Sequence, residues 1–287
     1  MPWALLLLIG IGAGLGAALG AAHSTSSSPA QWVAGVFATT EEAGTAHLDD
    51  DAVTASPNPV LRGTAVGSGV VDFAAGTFRV SQVDHQNDWT IGPGGQIQLQ
   101  AETFLEASIA VGPTVYLNLG PIEGAGWSKE SIPRDRGGLG LGSAPGFSTA
   151  LSWLRAPFTV RSVRDLGAAD VGGVATTRYL VRSQLRQDCG NGKALPAALV
   201  QSRDTTVWVD GRGRLVQAQN AVYSSGRLPA AMVKANPILA VRPEGSTTQH
   251  NTLHLSAFGA PVHVAAPTAL VGGGIGSSEA VLQTCSS

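Results

Sequence analysis

The sequence is poor in charge. Asp, Glu, Lys and Arg make up 13% of its 287 residues, whereas 44% of the residues are hydrophobic. This composition is typical of a folded globular chain and not of a disordered one. The 18 basic residues are scattered, and the formal net charge is −2. Because nucleic-acid binding needs a basic surface, no nucleic-acid partner is expected.

Cysteine is also scarce, since only Cys189 and Cys285 occur. A structural zinc site needs four ligands, and no Cys/His cluster accompanies these two residues, so no metal site is expected. In an exported protein, a lone pair of cysteines most simply forms one disulfide bond. That bond would hold the C-terminal tail to the loop at 187–193.

Charged residues are absent from residues 1–22, which form an apolar run followed by a polar Ser-rich stretch. The small residues Gly20 and Ala22 suit cleavage after Ala22, so the segment predicts a signal peptide and export to the cell envelope or beyond it. In the alternative, the segment is not cleaved and residues 3–22 anchor the chain, because about 20 apolar residues span a bilayer. No cysteine lies near the end of this leader, so no lipid-modified N-terminus is expected.

A helix is predicted directly after the polar stretch. Ser28 is a suitable N-cap and Pro29 a suitable first helical residue. Trp32, Val36 and Thr40 then fall on one face at helical spacing.

Strand-like runs with alternating apolar residues follow, separated by turn residues. Their connections are too short for the crossovers that parallel pairing requires, so they predict an antiparallel meander. No composition break divides the series, which indicates one domain. The predicted runs are 45–56, 62–73, 76–84, 95–111, 114–120, 158–167, 173–185, 204–211, 214–224 and 247–259, followed by a short tail at 262–267.

A second helical pattern places Phe147, Leu151 and Leu154 on one face before Pro157. The predicted fold class is therefore α+β, a large curved antiparallel sheet with helices packed on its concave face. So little helix cannot fill the concave face of about ten strands, which predicts an apolar cavity. The alternation and the helical spacing predict these lining residues: Phe104, Val115, Leu117, Leu151, Leu154, Val160, Tyr179, Val181, Leu253 and Leu255.

Several of these segments resemble the LppX/LprAFG family of actinobacterial cell-envelope lipoproteins. The resemblance covers most of the chain after the leader. It is carried by Tyr116 with Trp127, by the strand 172–179, by the hairpin that begins at 207–210, and by the ending 258–267.

The resemblance implies a half-barrel of antiparallel strands, similar to LolA and LolB, with helices over an apolar cavity. Proteins of this family bind acyl-chain lipids or glycolipids and carry them across the envelope. The chain departs from the family pattern because it lacks the acylated cysteine after its leader.

Catalytic motifs are missing, so the chain is predicted not to be an enzyme and to need no cofactor. Asp49, Asp50 and Asp51 are most simply a solvated edge or turn, although the outer two could form a carboxylate pair. Residues 84–88 are predicted to form a loop, with His85 and Asp88 as the alternative base and partner. His250 and His254, on a strand, are too far apart to chelate one metal ion and are predicted to lie at the surface.

Three functions remain open, and the last of them, an exported hydrolase, would need Asp84, His85 or Asp88 beside a nucleophile in a cleft, which no motif in the sequence indicates. The first is an exported cell-envelope protein that binds or carries acylated lipids in an apolar cavity. The second is a non-catalytic interaction or structural module of the same fold, which a filled core would favour. The predicted organisation is a signal peptide or anchor at 1–22, a helix region at 23–44, and the lipid-binding half-barrel at 45–287, which forms one domain with the helix region.

Overall fold

The fold is one long antiparallel sheet with a helix packed against it. A computed structural model describes residues 27–55, 62–91, 97–112, 114–118, 126–131, 158–185, 202–224 and 247–270. Its elements are α1 (Pro29–Glu41), β1 (Thr45–Ala55), β2 (Gly63–Asp72), β3 (Thr77–Ile91), β4 (Ile97–Val111), β5 (Thr114–Asn118), β6 (Ser128–Ser131), β7 (Phe158–Val171), β8 (Val174–Leu185), β9 (Ser202–Asp210), β10 (Leu215–Ser224) and β11 (Thr247–Ser256).

The sheet consists of two meanders joined along one pair of strands. Its order is β6-β5-β4-β3-β2-β1-β11-β10-β9-β8-β7, and every pair of neighbours is antiparallel. The first strand, β1, pairs with the last, β11, over nine residue pairs that run from His47 and Ser256 to Ala55 and Thr248. The sheet is open, with β6 and β7 as its edges. This open antiparallel sheet with a helix matches the predicted half-barrel.

The two edges are unlike. Strand β6 is only four residues long, whereas β7 has 14 residues. Its pairing with β8 shifts register at Val160/Ser162 and again at Asp165/Gly167. Short edge strands and bulges both hinder pairing with a second chain, so both edges are protected.

Helix α1 begins with the predicted cap. The Ser28 hydroxyl accepts a hydrogen bond from the Gln31 N–H at 3.3 Å, and the Gln31 side chain accepts one from the Ser28 N–H at 2.8 Å. This reciprocal capping box satisfies two of the free N–H groups at the helix start. Val33, Val36 and Thr40 form the buried face of the helix. Within the described part of the chain, no helix is long and apolar enough to cross a membrane.

The face of the sheet that carries α1 is called here the inner face. It includes Leu48 of β1, which lies opposite Leu255 of β11, and alternate residues along each strand continue it. Trp32 of α1 packs against Tyr179 of β8, with ring centroids 4.6 Å apart. Buried apolar side chains from ten of the twelve elements contribute to the core on this face. The cluster is Val33, Val36, Ala46, Leu48, Val71, Phe78, Val80, Ala110, Val115, Leu117, Val181, Val207, Val209, Leu215, Ala218, Leu253 and Leu255.

Two local expectations differ from the structure. Residues 84–88 belong to β3 and are not a loop, because β3 and β4 continue as a long ladder of paired residues. Strand β6 was not predicted from the sequence.

Residues 257–270, which follow β11, form a segment that we call the strap. The Gly259 N–H donates to the Thr45 carbonyl at 3.0 Å, and the Thr45 hydroxyl donates to the Ala260 carbonyl at 2.6 Å. At the far end, Leu270 forms a parallel bridge with Trp127, just before β6. The strap therefore connects the β11 side of the sheet to its β6 edge.

Thr40 joins α1 to the sheet. Its buried hydroxyl donates to the Val36 carbonyl at 2.7 Å and accepts from the Leu215 N–H at 2.9 Å. We expect Thr40→Val to lower the free energy of unfolding by about 2 kcal/mol, because the buried N–H of Leu215 loses its acceptor. Urea denaturation measures the change. Thr39→Val, at the neighbouring half-buried position, is the control, and an equal effect of both substitutions would contradict the argument.

Candidate functional site

Eight of the ten residues predicted to line a cavity lie in the described part of the chain, and strand register places all eight on the inner face. Five of them belong to the packed core, and Val160 and Tyr179 pack against it. Phe104 is also buried. The strands thus place the predicted residues on one shared face, and seven of them lie in or against one packed core. Their role in lipid binding stays a prediction.

Other predicted residues lie outside the described part. Leu151 and Leu154, which were predicted to complete the cavity wall, are in the stretch 132–157. Cys189 and Cys285 also fall outside the described residues, so the disulfide stays a prediction.

An open groove of about 910 Å³ lies on the opposite face, called here the outer face. It crosses six strands, from Thr252 and His254 on β11 to Asn118 on β5. Apolar side chains of β2, β3 and β4 form its middle, and two of them are unusually exposed: Val66 at 56% and Leu105 at 64%. Single exposed apolar residues are ordinary, but apolar residues that line a groove are typical of a binding site. We call this feature the apolar groove.

The sequence reasoning did not identify Val66, Val83 or Leu105 as site residues. The sequence does contain a signal for them. Each of the three strands carries apolar residues at positions of both parities, those of Val66, Val83 and Leu105 and those that point to the other face. Such a strand presents apolar side chains to both faces of a sheet. Which face remains open depends on what packs on each, and that is a tertiary property.

The outer face also explains the Asp49–Asp51 run, which belongs to β1. Asp49 and Asp51 are exposed at the apolar groove, whereas Asp50 projects from the inner face and is 4% exposed. Asp49 and Asp51 are exposed to solvent as predicted. The prediction of an edge or turn is wrong for all three residues, because β1 lies in the centre of the sheet.

Asp50 is part of an acidic cluster on the inner face, in which Asp50 is buried and Asp84 and Glu106 are half-buried. In one row across the sheet, Asp50 pairs with Gly67, Gly67 with Gln82, and Gln82 with Glu106. The Gln82 amide donates to Asp84 at 2.5 Å. Within the described part, Asp50 Oδ1 and Gln82 Oε1 have no hydrogen-bond partner.

Burial dominates the electrostatics of this cluster. Burial, and then the nearby Asp51 carboxylate, raises the pKa of Asp50 to about 7. Burial also raises the pKa of Asp84, and burial followed by the Asp84 charge raises the pKa of Glu106. A carboxyl group that loses contact with water favours its neutral form. Asp50 is therefore able to hold a proton near neutral pH.

The remaining candidates for chemistry are dispersed. His85 Nδ1 lies 2.9 Å from the hydroxyl of Thr103 on the neighbouring strand. His250 and His254 both lie on β11, and His250 is exposed. The described ranges contain no group of three or more His, Cys, Asp or Glu side chains that could hold a metal ion.

No protein-family model matches the chain, and no curated protein matches it.

Solved structures similar to this chain include lipoproteins of the family that the sequence resembles. Lipoprotein LppX of Mycobacterium tuberculosis is 15% identical, with a TM-score of 0.38, and the match covers 83% of this chain and 98% of LppX. LprF of Mycobacterium bovis is 12% identical, with a TM-score of 0.37, over 83% of this chain and 96% of LprF. A putative outer membrane lipoprotein-sorting protein domain of Vibrio parahaemolyticus is 10% identical, with a TM-score of 0.28, over 82% and 93%. At these identities and TM-scores the matches do not establish a ligand, so the ligand has to be argued from this chain's own surface.

Proposed function

We propose that this chain is an exported cell-envelope protein that binds an acyl-chain lipid in the apolar groove. The observation that carries the proposal is an open groove of about 910 Å³ with Val66 and Leu105 exposed in it. Sites for small molecules typically have volumes of about 300–1,000 Å³ and mainly apolar walls. The groove matches that description.

The shape of the groove suits a long chain. It runs across six neighbouring strands, β5 to β11 in the order of the sheet. Neighbouring strands are about 4.8 Å apart, so five spacings make a path of about 24 Å. An acyl chain that lies along this path covers Val66, Val83 and Leu105, and the removal of apolar surface from water drives its binding.

The domain organisation and the location belong to the same proposal. Residues 1–22 direct export as a cleaved signal peptide or remain as an anchor, with 3–22 in the membrane. Residues 45–287 form the lipid-binding half-barrel, and the helix region at 23–44 makes one domain with it. The chain acts as a carrier, not an enzyme.

A second candidate function has its own observation. On the inner face, Val115, Val181 and Leu253 are at most 1% exposed, as in a filled core. A filled core favours an interaction or structural module of the same fold. In that case the apolar groove would bind a protein rather than a lipid.

Native mass spectrometry of secreted residues 23–287, followed by organic extraction, separates the two candidates. The lipid proposal expects about one co-purifying acyl lipid per chain. A lipid-free protein that also takes up no fluorescent fatty acid would contradict the lipid proposal and favour the interaction module.

A substitution at Leu105 tests the apolar groove most directly. We expect Leu105→Glu to weaken fluorescent fatty-acid binding at least tenfold, because a charge then faces the acyl chain. Val174→Glu is the matched control, since Val174 is also an exposed apolar residue, at 41%, but does not line the groove. Equal binding by the two variants, with unchanged thermal unfolding, would show that the groove is not the site.

The predicted inner cavity has a separate test. Replacement of Leu151 or Leu154 by a charged residue should abolish lipid binding if those side chains line a cavity. Unchanged binding in these variants, together with a loss in Leu105→Glu, would assign the lipid to the outer face alone.

A further inference from the structure

The acidic cluster of Asp50, Asp84 and Glu106 lies in a strongly negative part of the inner face. Among the described strands β1 to β5, Arg79 is the only lysine or arginine. It pairs with Val70 in a row that belongs to the outer face. The three carboxyl groups therefore face no permanent cation from these five strands. Their charge favours a cation as a ligand.

Two buried oxygen atoms of this region lack a hydrogen-bond partner in the described part of the chain. They are Asp50 Oδ1 and Gln82 Oε1, and the two residues are 4% and 7% exposed. The Gln82 amide nitrogen already donates to Asp84, so the amide oxygen is the atom that remains available. Buried acceptors without a donor cost free energy. A ligand for this place must therefore donate hydrogen bonds.

Gly67 leaves room between the two oxygen atoms. It lies between Asp50 and Gln82 in one row of the sheet and has no side chain. The two flanking residues are two strand spacings apart, about 10 Å. Two hydrogen bonds of about 2.8 Å each from a single nitrogen atom span about half of this distance, and the two side chains cover the rest. One donor nitrogen can thus reach both oxygen atoms.

An ammonium group matches these acceptors better than other cations do. It is a compact charge with three donors and no acceptor. Asp50 and Gln82 accept two hydrogen bonds, and the carboxylate of Asp84 or Glu106 accepts the third. A guanidinium group instead prefers two parallel bonds to one carboxylate. A metal ion fits less well, because the described residues contain no group of three His, Cys, Asp or Glu side chains that could hold one.

The cluster reaches solvent on one side. Asp84 and Glu106 are half-buried, and so is Ala65, the next residue after Gly67 on this face of β2. Burial raises the pKa values of Asp50 and Glu106, and the Asp84 charge raises both further. The three carboxyl groups thus act on one another. A cation can be attracted by the half-buried pair and then pass to the buried Asp50.

We propose that the acidic cluster binds a small aliphatic amine, whose ammonium group lies between Asp50 and Gln82. Buried apolar side chains flank the cluster on both sides, with Leu253 beside Asp50 and Phe104 beside Asp84. The rest of the ligand is therefore apolar. Lipid binding is not needed for amine binding, because the cluster and the apolar groove lie on opposite faces of the sheet.

Butylamine, 1-butanol and magnesium chloride are the probes. Each is titrated against the folded, secreted protein at pH 8 and constant ionic strength, and the NMR shifts of the Gln82 side-chain amide and the Gly67 N–H report binding. We expect butylamine to bind at least about tenfold more tightly than 1-butanol or Mg²⁺, because only butylamine combines a charge with three donors. Binding of either comparison probe as tight as that of butylamine would overturn the proposal. So would the absence of any shift with butylamine.

Two variants make the test specific. Asp50→Asn should weaken butylamine binding at least about tenfold, because it removes the charge beside the ammonium group. Gln82→Met keeps the net charge and should also weaken binding, since it removes an acceptor. Glu102→Gln is the matched control: Glu102 is half-buried on the same face of β4, four residues from Glu106, and its loss should leave binding unchanged.

Thermal unfolding confirms that each variant is folded. An equal loss of binding in Asp50→Asn and Glu102→Gln would indicate a general attraction to negative charge and would contradict the site. Unchanged binding in folded Gln82→Met would remove Gln82 from the site and would overturn the proposed position of the ammonium group.

Discussion

Asp50→Asn is expected to change the pH dependence of stability more than any other carboxylate substitution in the described part of the chain. Asp50 is 4% exposed, and burial raises its pKa from 3.8 to about 7. In the folded protein the carboxyl group keeps its proton up to about pH 7, whereas in the unfolded chain it loses the proton near pH 4. Its contribution to stability is therefore complete at low pH and is lost as the pH rises from about 4 to about 7.

The size of the effect follows from the shift in pKa. A change of about three pKa units corresponds to about 4 kcal/mol. Asparagine carries no charge at any pH in this range. The free energy of unfolding of Asp50→Asn, relative to that of the native sequence, should therefore rise by about 4 kcal/mol between pH 4 and pH 8.

Urea denaturation at pH 4, 6 and 8 gives this difference directly. The comparison across pH removes any constant effect of the new amide on packing. Asp49→Asn is the matched control, because Asp49 is the exposed neighbour on the same strand. A difference for Asp50→Asn that is the same at pH 4 and pH 8 would contradict a buried, proton-holding carboxyl group.

Gly69→Ala is expected to destabilise the protein by about 3 kcal/mol, because the added methyl group has no room. Gly69 lies on β2 and pairs with Leu48 on one side and Val80 on the other. A Cβ atom at this position would collide with the Arg79 carbonyl oxygen and would approach the Val80 Cα atom to 2.9 Å. Both are backbone atoms, so they can move away only if the strand itself shifts.

Gly35→Ala provides a control of opposite sign. Gly35 is exposed in the middle of α1, and a Cβ atom there would meet nothing within 4 Å. Alanine should stabilise the helix by about 1 kcal/mol, since it loses less conformational freedom than glycine. Chemical denaturation of the two variants measures both effects. A Gly69→Ala protein as stable as the parent would show that β2 and β3 can separate without cost.

The local structure could be read largely from the sequence. The Ser28 cap, the start of α1 at Pro29 and ten of the eleven strands follow from side-chain chemistry and alternation within short windows. Residues 84–88 were misread because polar side chains in a short window indicate a loop. Long pairing with β4 keeps this segment extended, and that pairing is not visible in the window itself.

The candidate site was less predictable than the fold. The apolar alternation correctly placed Val115, Val181 and Leu253 on one shared face. It did not show that these side chains are packed, nor that Val66 and Leu105 remain exposed on the other face. Alternation assigns a residue to a face, whereas exposure depends on which elements cover that face.

By itself, the sequence determined where the chain forms a helix and strands and that the strands are antiparallel. It also determined which residues share a face. These properties depend on residues that are neighbours in the chain. Only the tertiary structure decided that β1 pairs with β11 and that the strap lies beside that pair. Strands about 200 residues apart in sequence are brought together by the burial of a common apolar face, which no local pattern encodes. Because the apolar groove includes residues of both β1 and β11, its position could be decided only at that level.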